Sequence, residues 1–288
     1  MIAMERKPLS LKELQDLEFD ILKSFRRFCD EHHLRYYLCG GTLIGAIRHK
    51  GFIPWDDDID VMMPRPDYER FLRLNSKGYL DRYRRIDNMH LNRNALSSII
   101  RIYDIRTKLT FKNLTYKKKF GCWIDIFPLD GLSDNSKARF LHCRYARLIQ
   151  DLSILNDTKF GEKRRSKLAT ILQYGMLPVL PFARLVGHER WNRKMDRISR
   201  KRDYRTSNYV GVIEGRALEK EALLKSKMEP AVLVDFNGEK FTAMANYDEY
   251  LTNLYGDYMT PPDDAGKESR HIIEVYWKKN IQNKVKPV

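Results

Sequence analysis

Residues 39–68 read CGGTLIGAIRHKGFIPWDDDIDVMMPRPDY, and the order of chemistries along them decides the fold. Gly40 and Gly41 let the backbone approach a phosphate closely, and a helix start behind them offers free N–H groups to an anion. Thr42 adds a hydroxyl. Residues 43–49 read as a short helix, ended by Gly51, and residues 52–54 as an extended entry. Residues 58–63 predict a strand with Asp58, Asp60 and Met62 on one face and Ile59, Val61 and Met63 on the other. Pro66 and Asp67 then open a helix carrying Tyr68, Phe71 and Leu72.

Upstream, Leu11, Leu14, Leu17, Ile21, Leu22, Phe25 and Phe28 recur at helical steps, which predicts a helix over 10–34. Ser10 and Glu13 form a capping-box pattern at its start. A strand is expected at 36–39. Downstream, strands are expected at 97–103, 108–111 and 123–129, the last ended by Asp130-Gly131. Helices are expected over 138–156 and through most of 159–202, a hairpin turn at 235–240, and a helix at 247–255. The whole predicts an α/β (α+β) chain with a mixed sheet, flanking helices and a helical insertion after Gly131. It divides into an N-terminal helix (1–34), a core (35–131), the insertion (132–207) and a C-terminal part (208–288) of one domain.

The carboxylates carry the chemistry. Two aspartates at i and i+2 on a strand present both side chains to one face, as Asp58 and Asp60 would. Asp125, flanked by Ile124 and Ile126, supplies a third from a neighbouring strand. Magnesium takes hard oxygen ligands and needs only one or two carboxylates besides phosphate oxygens. Such an ion neutralises and orients a phosphoryl group for transfer. The alternative is a solvated acidic loop. Against it stand the apolar neighbours Trp55, Ile59, Val61 and Met62, beside which crowded like charges are costly without a cation. Asp56 and Asp57 are assigned supporting or turn-shaping roles.

The chain has 288 residues, 43% hydrophobic and 32% charged, a globular balance. There is no run of 18 or more uninterrupted apolar residues, and residues 1–10 lack the apolar core of a signal peptide, so the expected compartment is the cytoplasm. Cys29, Cys39, Cys122 and Cys143 include no CxxC pair, and buried free thiols are expected. The net charge of +15 attracts anions. Nucleic acid is not favoured, since no zinc finger, basic zipper or RNP-type motif is present.

The stretch 39–68 resembles the LicD family of bacterial phosphocholine transferases, related to the fukutin-type ribitol-phosphate transferases. Residues 123–131 (WIDIFPLDG) are similar to that family's second block, residues 250–262 with LYGDYM to its C-terminal block, and Arg270-His271 to the basic pair that follows. The resemblance implies a nucleotidyltransferase-like fold, a magnesium ion with manganese as a substitute, and a CDP-activated donor such as CDP-choline. It implies transfer of choline phosphate to a sugar hydroxyl of a surface polysaccharide, lipopolysaccharide or teichoic acid, with release of CMP. Asp58 and Asp60 become the metal pair. Asp125 becomes the third carboxylate and the general base. Gly40, Gly41, Thr42, Arg48, His49, Lys50, Arg101 and His271 become binders of the diphosphate, against the alternative of ordinary surface charge. Trp55, Trp123, Tyr103 and Phe127 are candidates for an aromatic cage around a quaternary ammonium, against the alternative of plain core. Glu69, Arg70, Tyr255 and Asp257 either join the site or brace it. The donor alcohol, whether choline, ribitol or glycerol, stays open.

One feature stands apart from the resemblance. Lys163, Arg164, Arg165 and Lys167 precede an apolar stretch over 168–185 that is broken by Pro178 and Pro181, and Arg190, Trp191, Arg193 and Lys194 follow it. Basic flanks around a broken apolar segment suit peripheral contact with an anionic membrane, where a lipid-linked glycan acceptor resides. A helical hairpin packed on the core is the competing reading. Two other functions compete with the whole: a nucleotidyltransferase adding NMP to a small molecule with release of pyrophosphate, and a non-catalytic module binding anionic glycan or nucleic acid.

Overall fold

A computed structural model describes residues 7–95, 97–111, 120–157, 175, 177–215, 217–263 and 273–278. The first helix, α1 (Leu11–Glu31), starts where its capping box predicts: the Ser10 hydroxyl accepts from the Glu13 N–H, and the Glu13 carboxylate accepts from the Ser10 N–H. Its apolar stripe buries Ile21, Leu22 and Phe25 completely.

The sheet runs in the order β1 (Tyr37–Leu38), β2 (Asp60–Pro64), β6 (Trp123–Leu132), β4 (Ile100–Asp104) and β3 (Arg84–Asp87). β2 and β6 are parallel, and the other pairs on this path are antiparallel. This mixed sheet with helices is the expected α+β class. Side chains alternate along β4 and β6. Ile100, Ile102, Ile124 and Ile126 are buried on one face, with α1 and α3 (Arg65–Leu74) packed on the sheet. Arg101, Tyr103, Trp123 and Asp125 are half-buried on the other face. A sheet with one covered and one partly open face is what an alternating pattern builds.

The insertion has its own core. Cys143, Ala146, Ile149 and Leu152 of α4 (Ser136–Asp157) pack with Trp191, Met195 and Ile198 and with Leu132 of β6. The described remainder comprises a 3-10 turn (Leu177–Val179), α5 (Leu180–Val186) and α6 (His188–Ser199). Lys163, Arg164, Arg165, Lys167 and residues 168–174 and 176 of the apolar stretch after them lie outside the described residues. β7 (Tyr209–Gly211) pairs with β6 and with β8 (Leu223–Leu224). The expected hairpin forms as β9 (Val232–Phe236) and β10 (Glu239–Ala243), and α7 spans Tyr247–Tyr255 as predicted. β11 (Ile273–Trp277) pairs with β5 (Thr107–Phe111). All four cysteines are free and buried, as expected.

Three boundaries differ from the sequence expectation. β2 begins at Asp60, so Asp58 lies in the preceding loop and not on the strand. α2 (Gly40–Ile44) takes in the glycine pair as its first turn, and a π-turn at Gly45–His49 prolongs it. β6 passes through Asp130-Gly131, which had signalled a turn. The Asp130 carboxylate is buried and held by Arg65 through bonds of 2.6 and 2.5 Å. A Cβ at Gly131 would stand 2.7 Å from the Asp203 carbonyl, so the missing side chain admits the neighbouring backbone.

Candidate active site

The strand register assembles the site. Asp60 of β2 and Asp125 of β6 are direct partners across the parallel pair, and Asp125 and Arg101 are partners across the antiparallel pair of β6 and β4. Side chains opposite one another across a ladder share a face. Two carboxylates and a guanidinium therefore form a row across the partly open side of the sheet. The Arg101 Nε donates to Asp125 Oδ1 at 2.7 Å, and the Trp123 indole N–H donates to Oδ2 at 3.2 Å. The Arg101 guanidinium lies 5.0 Å from the Trp123 ring centroid, so Trp123 braces the Arg101–Asp125 pair. Among the described residues the buried Nη1 of Arg101 has no hydrogen-bond partner.

The acidic loop closes on this row. Desolvation, followed by repulsion from Asp58, Asp125 and Asp56, pushes the Asp60 carboxyl well above the ordinary carboxylate range. Asp58 thus belongs electrostatically with Asp60, although the loop and not strand alternation brings it there. The i, i+2 argument for that pair is corrected accordingly: the aligned pair on the sheet is Asp60 and Asp125. The side chain of Gln15 on α1 holds the loop by donating to the Asp56 carbonyl at 2.8 Å.

The glycine turn backs onto the carboxylates. A Cβ at Gly40 would stand 3.3 Å from Asp60 Oδ2, and one at Gly41 would stand 2.7 Å from Asp56 Oδ2. Gly40 also has φ +54°, a conformation that favours glycine. The Thr42 hydroxyl accepts from the Asp60 N–H at 2.8 Å and so fixes the start of β2. The Tyr250 hydroxyl accepts from the Gly40 N–H at 3.3 Å and bonds the buried Glu221 carboxyl.

Other candidates are placed differently. Arg48 donates through Nη1 to the Tyr258 carbonyl at 2.6 Å and through Nε to His49 Nε2 at 2.9 Å. The Lys50 carbonyl accepts from the Asn237 N–H at 2.8 Å, and its side chain is exposed. The basic turn thereby ties the Gly-Gly helix to the C-terminal part. The His49 ring meets Trp55 edge to face at 6.3 Å. Tyr103 and Phe127 lie half-buried on strands of the same sheet. Glu69 pairs with Arg200, and the exposed Asp257 caps the Thr260 N–H. The Tyr255 hydroxyl reaches within 3.6 Å of the Cβ position of Gly40. His271 and Arg270 lie outside the described residues.

Two residues escaped the sequence reading. Glu18 sits buried on α1, and its carboxyl is pushed well up by desolvation and then by Asp58, Asp57, Asp56 and Asp60. The signal was available, because Glu18 interrupts the apolar stripe between Leu14 and Leu22. Tyr250 opens the C-terminal block at 250–262, but its bond to Gly40 gave no signal, since an aromatic on a helix looks like core.

Among the described residues, no three His, Cys, Asp or Glu side chains stand as a preformed metal cage. The donor set nevertheless fits a hard divalent ion that completes its shell with phosphate oxygens and water. Asp60 and Asp125 stand side by side on adjoining strands, and a cation would relieve the repulsion that Asp58, Asp125 and Asp56 exert on Asp60.

Comparison with known proteins follows this geometry. Residues 33–144 match the family model described as LicD/FKTN/FKRP, nucleotidyltransferase domain. The chain is 31% identical over 277 residues to the lipopolysaccharide cholinephosphotransferase LicD of Haemophilus influenzae, covering 94% of this chain and 99% of that protein. Shorter similarity links it to an uncharacterised protein of Rickettsia typhi, 33% identical over 70 residues, 24% of this chain and 20% of that one.

Proposed function

Because the chain belongs to the LicD family, we propose that it is a transferase moving phosphocholine from CDP-choline onto a hydroxyl of a cell-surface glycan or its lipid-linked precursor, releasing CMP. The observation that carries this reading is the similarity, over nearly the whole of both chains, to a lipopolysaccharide cholinephosphotransferase. The row of Asp60, Asp125 and Arg101 supports phosphoryl chemistry at this place.

Asp60 and Asp125, with Asp58 from the loop, are the residues assigned to hold a magnesium ion, manganese being the substitute. When bound, such an ion supplies charge neutralisation at the diphosphate. Every other contribution belongs to the chain. The Arg101 Nη1, buried and unpartnered, donates to a phosphate oxygen of the donor in a charge-assisted bond. The first turn of α2 brings backbone to the same face without side-chain bulk. Asp125, oriented by Arg101 and Trp123, accepts the proton of the acceptor hydroxyl.

The test is a donor screen with magnesium present. CDP-choline, CDP-ribitol and CDP-glycerol are offered with a delipidated glycan acceptor, and CMP and pyrophosphate are both measured. CMP release with CDP-choline, reduced about a thousandfold or more in Asp60→Asn, is expected. Pyrophosphate release from UTP or ATP, with no CMP from any CDP donor, would overturn the proposal in favour of a nucleotidyltransferase.

A further inference from the structure

Among the described residues, the insertion carries an apolar face that nothing covers. On α4, Phe140, Leu141, Tyr145 and Leu148 are exposed, Leu141 at 66% and Leu148 at 53%. With 100° per residue, they and Arg144 occupy about 140° of arc, a single stripe. On α5, Phe182 is exposed and Leu185 is exposed at 80%.

The two helices are joined through α6. The Lys194 ammonium lies 5.7 Å from the Tyr145 ring centroid and 5.8 Å from that of Trp191. Trp191 in turn meets Phe182 edge to face at 6.0 Å. Tyr145 and Phe182, both exposed, are thereby linked through Lys194 and the buried Trp191 of α6. Cations lie against the rings: Arg144 is 5.0 Å from the Phe140 ring centroid, and Arg184 of α5 and Arg190 of α6 are exposed. Over residues 136–202, basic side chains outnumber acidic ones by more than three to one.

We infer that this face is a docking surface for an anionic lipid bilayer, on which α4 and α5 lie flat. Exposed leucine and phenylalanine enter the boundary between headgroups and acyl chains. Long cationic side chains lie over the rings and reach the lipid phosphates. Charge complementarity selects this occupant over a second copy of the chain, because two such faces would bring like charges together. Among the described residues no helix is long and apolar enough to cross a membrane, so the contact is peripheral. Among the described residues the apolar contribution comes from α4 and from Phe182 and Leu185 of the expected segment, whose basic run at 163–167 lies outside the described residues. The purpose of the contact, delivery of the site to a lipid-borne acceptor, rests on the function proposed above. The binding itself does not.

Flotation of the full chain tests it, with vesicles of phosphatidylcholine alone and with about 30% phosphatidylglycerol. The parent protein is expected to float with the anionic vesicles only, and less so as salt rises. The triple variant Leu141→Ser, Leu148→Ser, Leu185→Ser and the charge variant Arg144→Glu, Lys194→Glu should each bind about tenfold more weakly or worse. Both should keep the parent's melting temperature and its CMP release with a delipidated acceptor. Absence of parent binding, or equal binding by the triple variant, would overturn the inference. So would a concentration-dependent dimer that the triple variant abolishes, since a second copy would then cover the face. Vesicle binding without CMP release would leave this surface standing and remove the proposed function instead.

Discussion

Arg101 donates through Nε to Asp125 and, among the described residues, leaves Nη1 buried without a partner. An unpaired buried donor on a charged group is costly, and a ligand oxygen removes that cost. Lysine keeps the charge but loses the fork that serves two acceptors at once. Arg101→Lys is therefore expected to raise the KM for the CDP donor and lower kcat, with kcat/KM falling about tenfold to a hundredfold. Steady-state kinetics with varied donor checks this. An unchanged kcat/KM would remove Arg101 from the site. At this scale the sequence named Asp60, Asp125 and Arg101 individually. It paired Asp60 with Asp58 because i, i+2 spacing is local, whereas the pairing with Asp125 is a matter of register between distant strands.

The helix Gly40–Ile44 shows what an element contributes. It starts within van der Waals reach of two carboxylates, and Tyr250 of α7 pins its first N–H. A methyl group at Gly41 would meet Asp56 Oδ2 at 2.7 Å, and the carboxylate, at the end of a short side chain, would have to turn away. Gly41→Ala should thus lower transfer about tenfold or more while shifting the melting temperature only slightly. Parallel activity and thermal-unfolding measurements decide it. A large loss of stability with full specific activity would mean that the glycine serves packing alone. The glycine pair was legible in the sequence as a point of close backbone approach. Its neighbours were not, because Tyr250 lies 210 residues away along the chain.

Across the whole molecule, a buried polar network joins the core to the insertion. Arg65 binds Asp130 of β6 and, at 3.4 Å, Asp196 of α6. Nearby, the buried Glu214 carboxyl bonds the Ser98 and Ser199 hydroxyls. Burial raises Glu214 from 4.5 to about 7. A carboxyl whose folded pKa is raised stabilises the fold fully below the unfolded value and loses that contribution as pH rises through the folded value. The window runs from pH 4.5 up to about 7. Glu214→Gln, neutral throughout, is expected to match the parent near the lower limit and to exceed it at pH 8, by at most roughly 3 kcal/mol. Urea unfolding at pH 5 and pH 8 measures the difference. Equal pH dependence in parent and variant would show that Glu214 does not carry it.

The sequence by itself determined the elements and the chemistry available to them. α1 with its capping box, the β9–β10 hairpin, α7 and the buried free cysteines follow from local periodicity, turn residues and the absence of CxxC spacing, all of which act within a few residues. The block at 39–68 marked the family. Tertiary structure decided which carboxylates align, because register depends on how β2, β6 and β4 pair. It carried β6 through Asp130-Gly131, since a distant Arg65 neutralises the aspartate that would otherwise end a strand. Among the described residues it also left the α4 stripe exposed. Periodicity reveals that a helix has an apolar face, but only the packing of its neighbours decides whether that face is buried.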